Sequence, residues 1–134
     1  MEKILIVDDS ALQAAQLKAI LEDEYDITVA QTAEEGLRLA VAGGLSLILL
    51  DVVMPGMDGF TLLKKLQEDI DTRSVPVILI TSLSDVESEE RGLLLGAVDY
   101  ITKPFHPLIV RARVNTHVKL YQYRRQVEQQ SMTD

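Results

Sequence analysis

Asp8, Asp9, Asp51, Thr81 and Lys103 each stand at the end of an apolar run: ILIV leads into Asp8-Asp9, LILL into Asp51, VILI into Thr81 and DYIT into Lys103. A carboxylate at such a place is costly to desolvate unless a counter-charge or a metal meets it. Three carboxylates drawn together repel, and each makes the others harder to ionise. A divalent cation removes that conflict. Ligation by oxygen alone, without His or Cys, selects a hard ion, and few protein ligands completed by water favour Mg2+ over Ca2+. Asp51 would then face a phosphoryl donor as a nucleophile. Lys103 would neutralise phosphoryl oxygens as a point charge, and Thr81 would donate a hydrogen bond to another. Chemistry of this kind runs on positioning and charge neutralisation.

Singly, each residue has a plainer reading. Asp8 or Asp9 could serve the positive end of a following helix, Asp51 could be a turn residue before Met-Pro-Gly, and Thr81 and Lys103 could be ordinary strand-end and solvated groups. What favours chemistry is that they occur together, which requires elements that bring the tips to one place.

Those elements are legible as five apolar runs alternating with helix-like segments. The strands are expected at residues 3–7 (KILIV), 26–30 (DITVA), 45–50 (LSLILL), 75–81 (VPVILIT) and 98–102 (VDYIT). Such nearly continuous aliphatic runs suit strands buried on both faces. Capping boxes at Ser10/Gln13, Thr32/Glu35 and Ser84/Glu87 open three of the helices. Gly43-Gly44 stops the second helix, a helix runs from about Asp58 to Glu68, and Pro107 sits where a first helical position should be. Strand–helix alternation of this kind predicts an α/β fold: a doubly wound five-stranded parallel sheet, order 2-1-3-4-5, with all strand C-termini on one rim. In that order strand two, whose tip is the bland Ala30-Gln31, lies at the edge, so the four polar tips are adjacent.

The totals narrow the classes. At 134 residues with 47% hydrophobic and 25% charged content, the chain reads as one globular domain. Its net charge of −8 argues against nucleic-acid binding through a broad basic surface, and its apolar runs are too short for a membrane span. With no cysteine there is no disulfide and no thiolate site, which fits a cytoplasmic setting. His117 has no neighbour at metal-ligand spacing and is expected on a helix surface. In the last helix Leu120, Tyr123, Val127 and Gln130 fall at 3-4-3 spacing, the pattern of a short coiled-coil seam and of a possible homodimer through the last helices.

The ordered set ILIVDDS (residues 4–10), LILLDVVMPGMDGF (47–60), VILITS (77–82) and GAVDYITKPF (96–105) resembles the receiver domain of bacterial two-component response regulators, the CheY-like (βα)5 fold. The resemblance implies that Asp51 accepts a phosphoryl group from a histidine kinase or His phosphotransfer protein. It implies Mg2+ ligation by Asp9, Asp51 and the backbone carbonyl of Val53, with Asp8 acting mainly through water. Lys103 would contact the phosphoryl group, and Lys103-Pro104 would be cis. Thr81 and Tyr100 would be the switch pair, Thr81 swinging toward the phosphoryl group and Tyr100 turning inward behind it. The face formed by the fourth helix, the fifth strand and the last helix would pass the change to an output domain or partner. Val53 and Leu83 are apolar where many receivers carry polar residues that orient a hydrolytic water, so a long-lived aspartyl phosphate is expected.

On this reading residues 1–122 are the receiver and 123–134 a helical extension toward an output domain. The ending EQQSMTD resembles the linker into a GGDEF-type diguanylate cyclase, although no GGDEF motif is present and no turnover enzyme is expected here. Two alternatives stay open. A pseudo-receiver would bind partners without phosphate. A haloacid-dehalogenase-type phosphatase would also use Mg2+ and an aspartyl phosphate, but needs Asp-x-Asp after its first strand, where this chain has Asp8-Asp9-Ser10.

Overall fold

A computed structural model describes residues 1–82 and 86–133 of the chain, with side chains to residue 129. The chain alternates without exception: β1 (Lys3–Val7), α1 (Ala11–Leu21), β2 (Asp26–Ala30), α2 (Ala33–Ala42), β3 (Leu47–Asp51), α3 (Gly59–Glu68), β4 (Val77–Ser82), α4 (Val86–Leu94), β5 (Asp99–Lys103) and α5 (Pro107–Thr133). All strand pairs are parallel, in the order β2-β1-β3-β4-β5. The expected fold class and strand order are observed.

Local sequence explains the helix ends. The Ser10 hydroxyl accepts from the Gln13 N–H at 3.3 Å, and Thr32 Oγ1 accepts from the Glu35 N–H at 3.1 Å. The reciprocal half of each box differs from expectation. Gln13 Oε1 is buried with no hydrogen-bond partner, and Glu35 reaches the Gln31 N–H at 3.5 Å rather than that of Thr32. Asp58 caps α3 through the Thr61 N–H at 2.8 Å. Ser84, expected to cap the fourth helix, lies outside the described residues. Gly43, at φ 88°, provides the left-handed turn that ends α2.

Three strands shift from their expected bounds, each ending one residue later. β3 begins at Leu47 rather than 45, β4 at Val77 rather than 75, and β5 runs one residue later than residues 98–102. The cause lies in the neighbours. Residues 75 and 76 come before the register in which Val77 pairs with Ile48, although the Pro76 carbonyl still accepts from the Ile48 N–H at 2.9 Å. β5 is placed by pairing Asp99 with Ile78 and Lys103 with Ser82.

Alternation along the strands divides the core in two. Leu5, Val7, Ile48, Leu50, Val77 and Leu79 pack with residues of α2 and α3 on one side. Ile4, Ile6, Leu47, Leu49, Ile78, Ile80 and Ile101 pack with α1 and α5 on the other. Both faces are therefore covered, as a parallel sheet requires. Among the described residues of α4 only Gly92 is buried, because a Cβ there would fall 1.8 Å from Leu79 Cδ1. Arg91 lies over the Phe60 ring, 4.4 Å from its centroid, and ties α4 to α3.

Candidate functional site at the C-terminal rim

Strand register and side-chain parity together build the site. Val7 pairs with Leu50, so Asp8 lies level with Asp51; Asp51 pairs with Ile80, one residue before Thr81; Thr81 pairs with Thr102, one before Lys103. Two-residue parity then sorts the side chains. Asp8 continues the series Ile4–Ile6, Asp51 the series Leu47–Leu49, and Lys103 follows Ile101, all on the α1/α5 side. Thr81 continues Val77–Leu79, and Tyr100 packs with that same cluster on the opposite side. Asp8, Asp51, Thr81 and Lys103 thus end neighbouring strands at one rim, with Thr81 on the face of Tyr100 and the other three on the opposite face.

Asp51 is buried at 2% exposure. Its Oδ1 accepts from the Val53 N–H at 3.0 Å, and its Oδ2 faces Lys103 Nζ at 3.4 Å. Asp8 is fully buried. Its Oδ1 accepts from the Ser10 N–H at 2.9 Å, while its Oδ2 has no hydrogen-bond partner. Asp9 is exposed at the rim, and one oxygen each of Asp8, Asp9 and Asp51 lie within 4.8 Å of one another. Burial pushes the Asp8 carboxyl up to about 6; the Ser10 N–H opposes the shift, the nearby Asp51 charge adds to it, and Lys103 again opposes. An orphaned buried carboxylate oxygen beside two more carboxylates is the donor set that a hard divalent cation satisfies. Thr81 Oγ1 is likewise buried and has no hydrogen-bond partner among the described residues. The Lys103-Pro104 peptide is cis.

A family model for the response regulator receiver domain matches residues 4–115. The chain belongs to this family.

Among curated receiver-containing relatives, Response regulator PleD of Caulobacter vibrioides is 42% identical over 115 residues, covering 85% of this chain and 25% of PleD. A Vibrio cholerae protein named "Probable cyclic di-GMP phosphodiesterase" is 37% identical over 116 residues, covering 87% of this chain and 26% of that protein. This receiver therefore spans about a quarter of the length of those relatives. Solved structures agree. A response regulator from Chloroflexus aurantiacus superposes with a TM-score of 0.85 at 31% identity, covering 88% of this chain and 98% of that one. The Vibrio cholerae chemotaxis protein CheY4 does so with a TM-score of 0.79 at 28% identity, with the same coverage. The chain is thus a CheY-like receiver of two-component signalling, and receivers of this family bind Mg2+ through acidic residues of the kind clustered at this rim.

The receiver holds functional geometry that its sequence did not disclose. Gly59 is one case: a Cβ at this position would fall 2.3 Å from the Asp51 carbonyl oxygen and 2.6 Å from Val52 Cα. The first turn of α3 therefore presses on the backbone that carries Asp51, and only glycine allows it. His117 is another, and a correction to the expected surface placement. It is half-buried, with Nε2 3.0 Å from Asp99 Oδ2, while Arg113 reaches Asp99 Oδ1 at 2.7 Å. Arg113 also lies over the Tyr100 ring, 5.5 Å from its centroid. The i, i+4 spacing of Arg113 and His117 was the available signal, but their shared partner comes from β5. Among the described residues no helix is long and apolar enough to cross a membrane.

Proposed function

We propose that this receiver accepts a phosphoryl group on Asp51 from a histidine kinase or His phosphotransfer protein and uses the resulting anhydride to switch its α4-β5-α5 face. The single observation that carries the reading is the setting of Asp51: buried at a strand tip, with Asp8 and Asp9 oxygens on one side and Lys103 Nζ on the other. An Asp51 oxygen attacks phosphorus, the donor's P–N bond breaks, and the departing imidazole takes up a proton. Asp9, Asp51 and the Val53 carbonyl would ligate Mg2+, with Asp8 acting through water; when bound, the ion supplies charge neutralisation at the attacking and phosphoryl oxygens. Lys103 holds a phosphoryl oxygen as a fixed positive charge. Thr81, whose buried hydroxyl has no partner among the described residues, supplies a hydrogen bond. Its movement vacates space on the face it shares with half-buried Tyr100, which turns inward, a population shift between two packings.

The donor docks beside this rim. A cavity of about 500 Å3 borders Lys103 and is lined by Gln13, Ile20, Pro104 and Phe105 among others, a mainly apolar seat next to the acceptor. Residues 1–122 form the receiver and 123–134 lead to an output domain. The resemblance of the tail to a GGDEF linker, and the cyclic di-GMP name of the Vibrio relative, support an output in cyclic-dinucleotide turnover. Leu120, Tyr123 and Val127 are 51%, 68% and 44% exposed along one stripe of α5, which supports pairing of two copies through their last helices; Gln130 of that pattern lies outside the described side chains. Sedimentation with and without beryllofluoride tests pairing, and an unchanged monomer counts against it.

Incubation with acetyl phosphate and Mg2+ tests the central reading. The native chain gains one phosphoryl mass and Asp51→Asn does not. Equal labelling of both, or no beryllofluoride binding with Mg2+, would leave a phosphate-independent interaction module.

A further inference from the structure

The opposite edge of the sheet carries a polar junction that the rim chemistry does not use. Glu2, one residue before β1, is half-buried and accepts from two side chains. One is the hydroxyl of Ser46, itself buried at 2% exposure one residue before β3. The other is Gln122 Nε2 of α5, at 2.7 Å from Glu2 Oε1. Hydrogen bonds from these two groups, with Arg125 nearby, hold the Glu2 carboxyl below its ordinary range. The backbone is fastened at the same place, since Asp26 N–H donates to the Glu2 carbonyl at 2.9 Å and Ser46 N–H to the Lys3 carbonyl at 2.8 Å.

The position along α5 gives the junction its meaning. The inward face of the helix is Val110, Val114, Val118 and Tyr121, and Tyr121 is its last buried side chain among the described residues. Gln122 follows immediately. Apolar packing therefore ends at one residue and a charge-assisted hydrogen bond takes over at the next. Beyond it, residues 123–129 are exposed.

We propose that Glu2 is the positioning residue that fixes the exit of α5 from the domain. It ties the helix at Gln122 to the starts of β1 and β3. Those two strands lead to Asp8-Asp9 and Asp51, so the direction of the emerging helix is referenced to the acidic rim through two adjacent interior strands, buried except at Lys3. A solvated N-terminal glutamate would need none of these partners. The inference stands apart from phosphoryl acceptance and can be tested on the chain without any ligand.

Hydrogen exchange by mass spectrometry over residues 118–129 reads it directly, in the native chain and in Glu2→Ala, Gln122→Ala, the double variant and Lys119→Ala. A hydrogen bond to a charged group is worth enough to change local opening by about tenfold. Both single variants are expected to exchange about tenfold faster in this segment, with β4 peptides unchanged, and the double variant no faster than Glu2→Ala. Lys119→Ala should match the native chain. If Glu2→Ala fails to fold, Gln122→Ala decides, because that side chain lies outside the core. Native-like exchange over 118–129 in Gln122→Ala, or additive effects in the double variant, would overturn the assignment.

Discussion

At Asp51, the proposed acceptor, two demands compete: a carboxylate that attacks must be ionised, and it must be buried to be positioned. Lys103 Nζ at 3.4 Å and the Val53 N–H at 3.0 Å hold its two oxygens in place. Asp8 is the residue with the conflict. Its folded pKa is about 6 against an ordinary 3.8, so between those values the folded state binds a proton that the unfolded chain has released. That contribution favours folding at low pH and is lost as pH rises through about 6. Asp8→Asn should therefore stabilise the metal-free chain above pH 6 by on the order of 2 kcal/mol, read by urea unfolding. The same variant should bind Mg2+ more weakly. For the native chain Mg2+ affinity should fall by up to about tenfold per pH unit below 6, measured by calorimetry, because protonated Asp8 cannot help hold a cation. Lys103→Ala should slow labelling by acetyl phosphate by about a hundredfold, the loss typical of removing one preorganised charge-stabilising donor, and stopped-time mass spectra would show it. Val53, 71% exposed two residues after Asp51, offers no polar side chain to a hydrolytic water. Val53→Asn should shorten the lifetime of the aspartyl phosphate, followed by loss of the mass shift after donor removal. A native lifetime of seconds would remove the idea. Leu83, the companion position, lies outside the described residues.

At the scale of elements, strands and caps were largely legible because they answer to local rules. Five aliphatic runs delivered β1 to β5, and Ser10, Thr32 and Asp58 cap α1, α2 and α3. The gathering of Asp8, Asp9, Asp51, Thr81 and Lys103 was legible for the same reason, since each ends a strand and parallel strands end together. What could not be read depends on partners distant in the chain. The starts of β3, β4 and β5 follow the register of a neighbour rather than the length of an apolar run. The Asp99, Arg113 and His117 cluster joins β5 to α5, and the Glu2, Ser46 and Gln122 junction spans 120 positions. Gly59 falls within the helix expected from about Asp58, and its need is set by the distant Asp51 carbonyl beneath it. Gly59→Ala should cost about 1–3 kcal/mol through overpacking, measured by denaturant midpoint. It should also slow labelling of Asp51 by shifting the backbone that carries it. Unchanged stability in that variant would mean that α3 can move away freely.

For the molecule as a whole, one parallel sheet separates two jobs. Its C-terminal rim holds the acidic pocket, and its N-terminal edge holds the point where α5 departs. That helix is unbroken from Pro107 to Thr133, about 40 Å at the usual rise. It begins four residues after Lys103 and carries its stripe of Leu120, Tyr123 and Val127 past the sheet. A continuous helix transmits angle as well as displacement. Each residue inserted after Val127 would turn whatever follows by about 100°. If an output unit follows α5 as proposed, its coupling to the acidic pocket should therefore vary with helical phase: lost on adding two residues, regained on adding seven. The rod works as a crankshaft, and its setting is a matter of rotation.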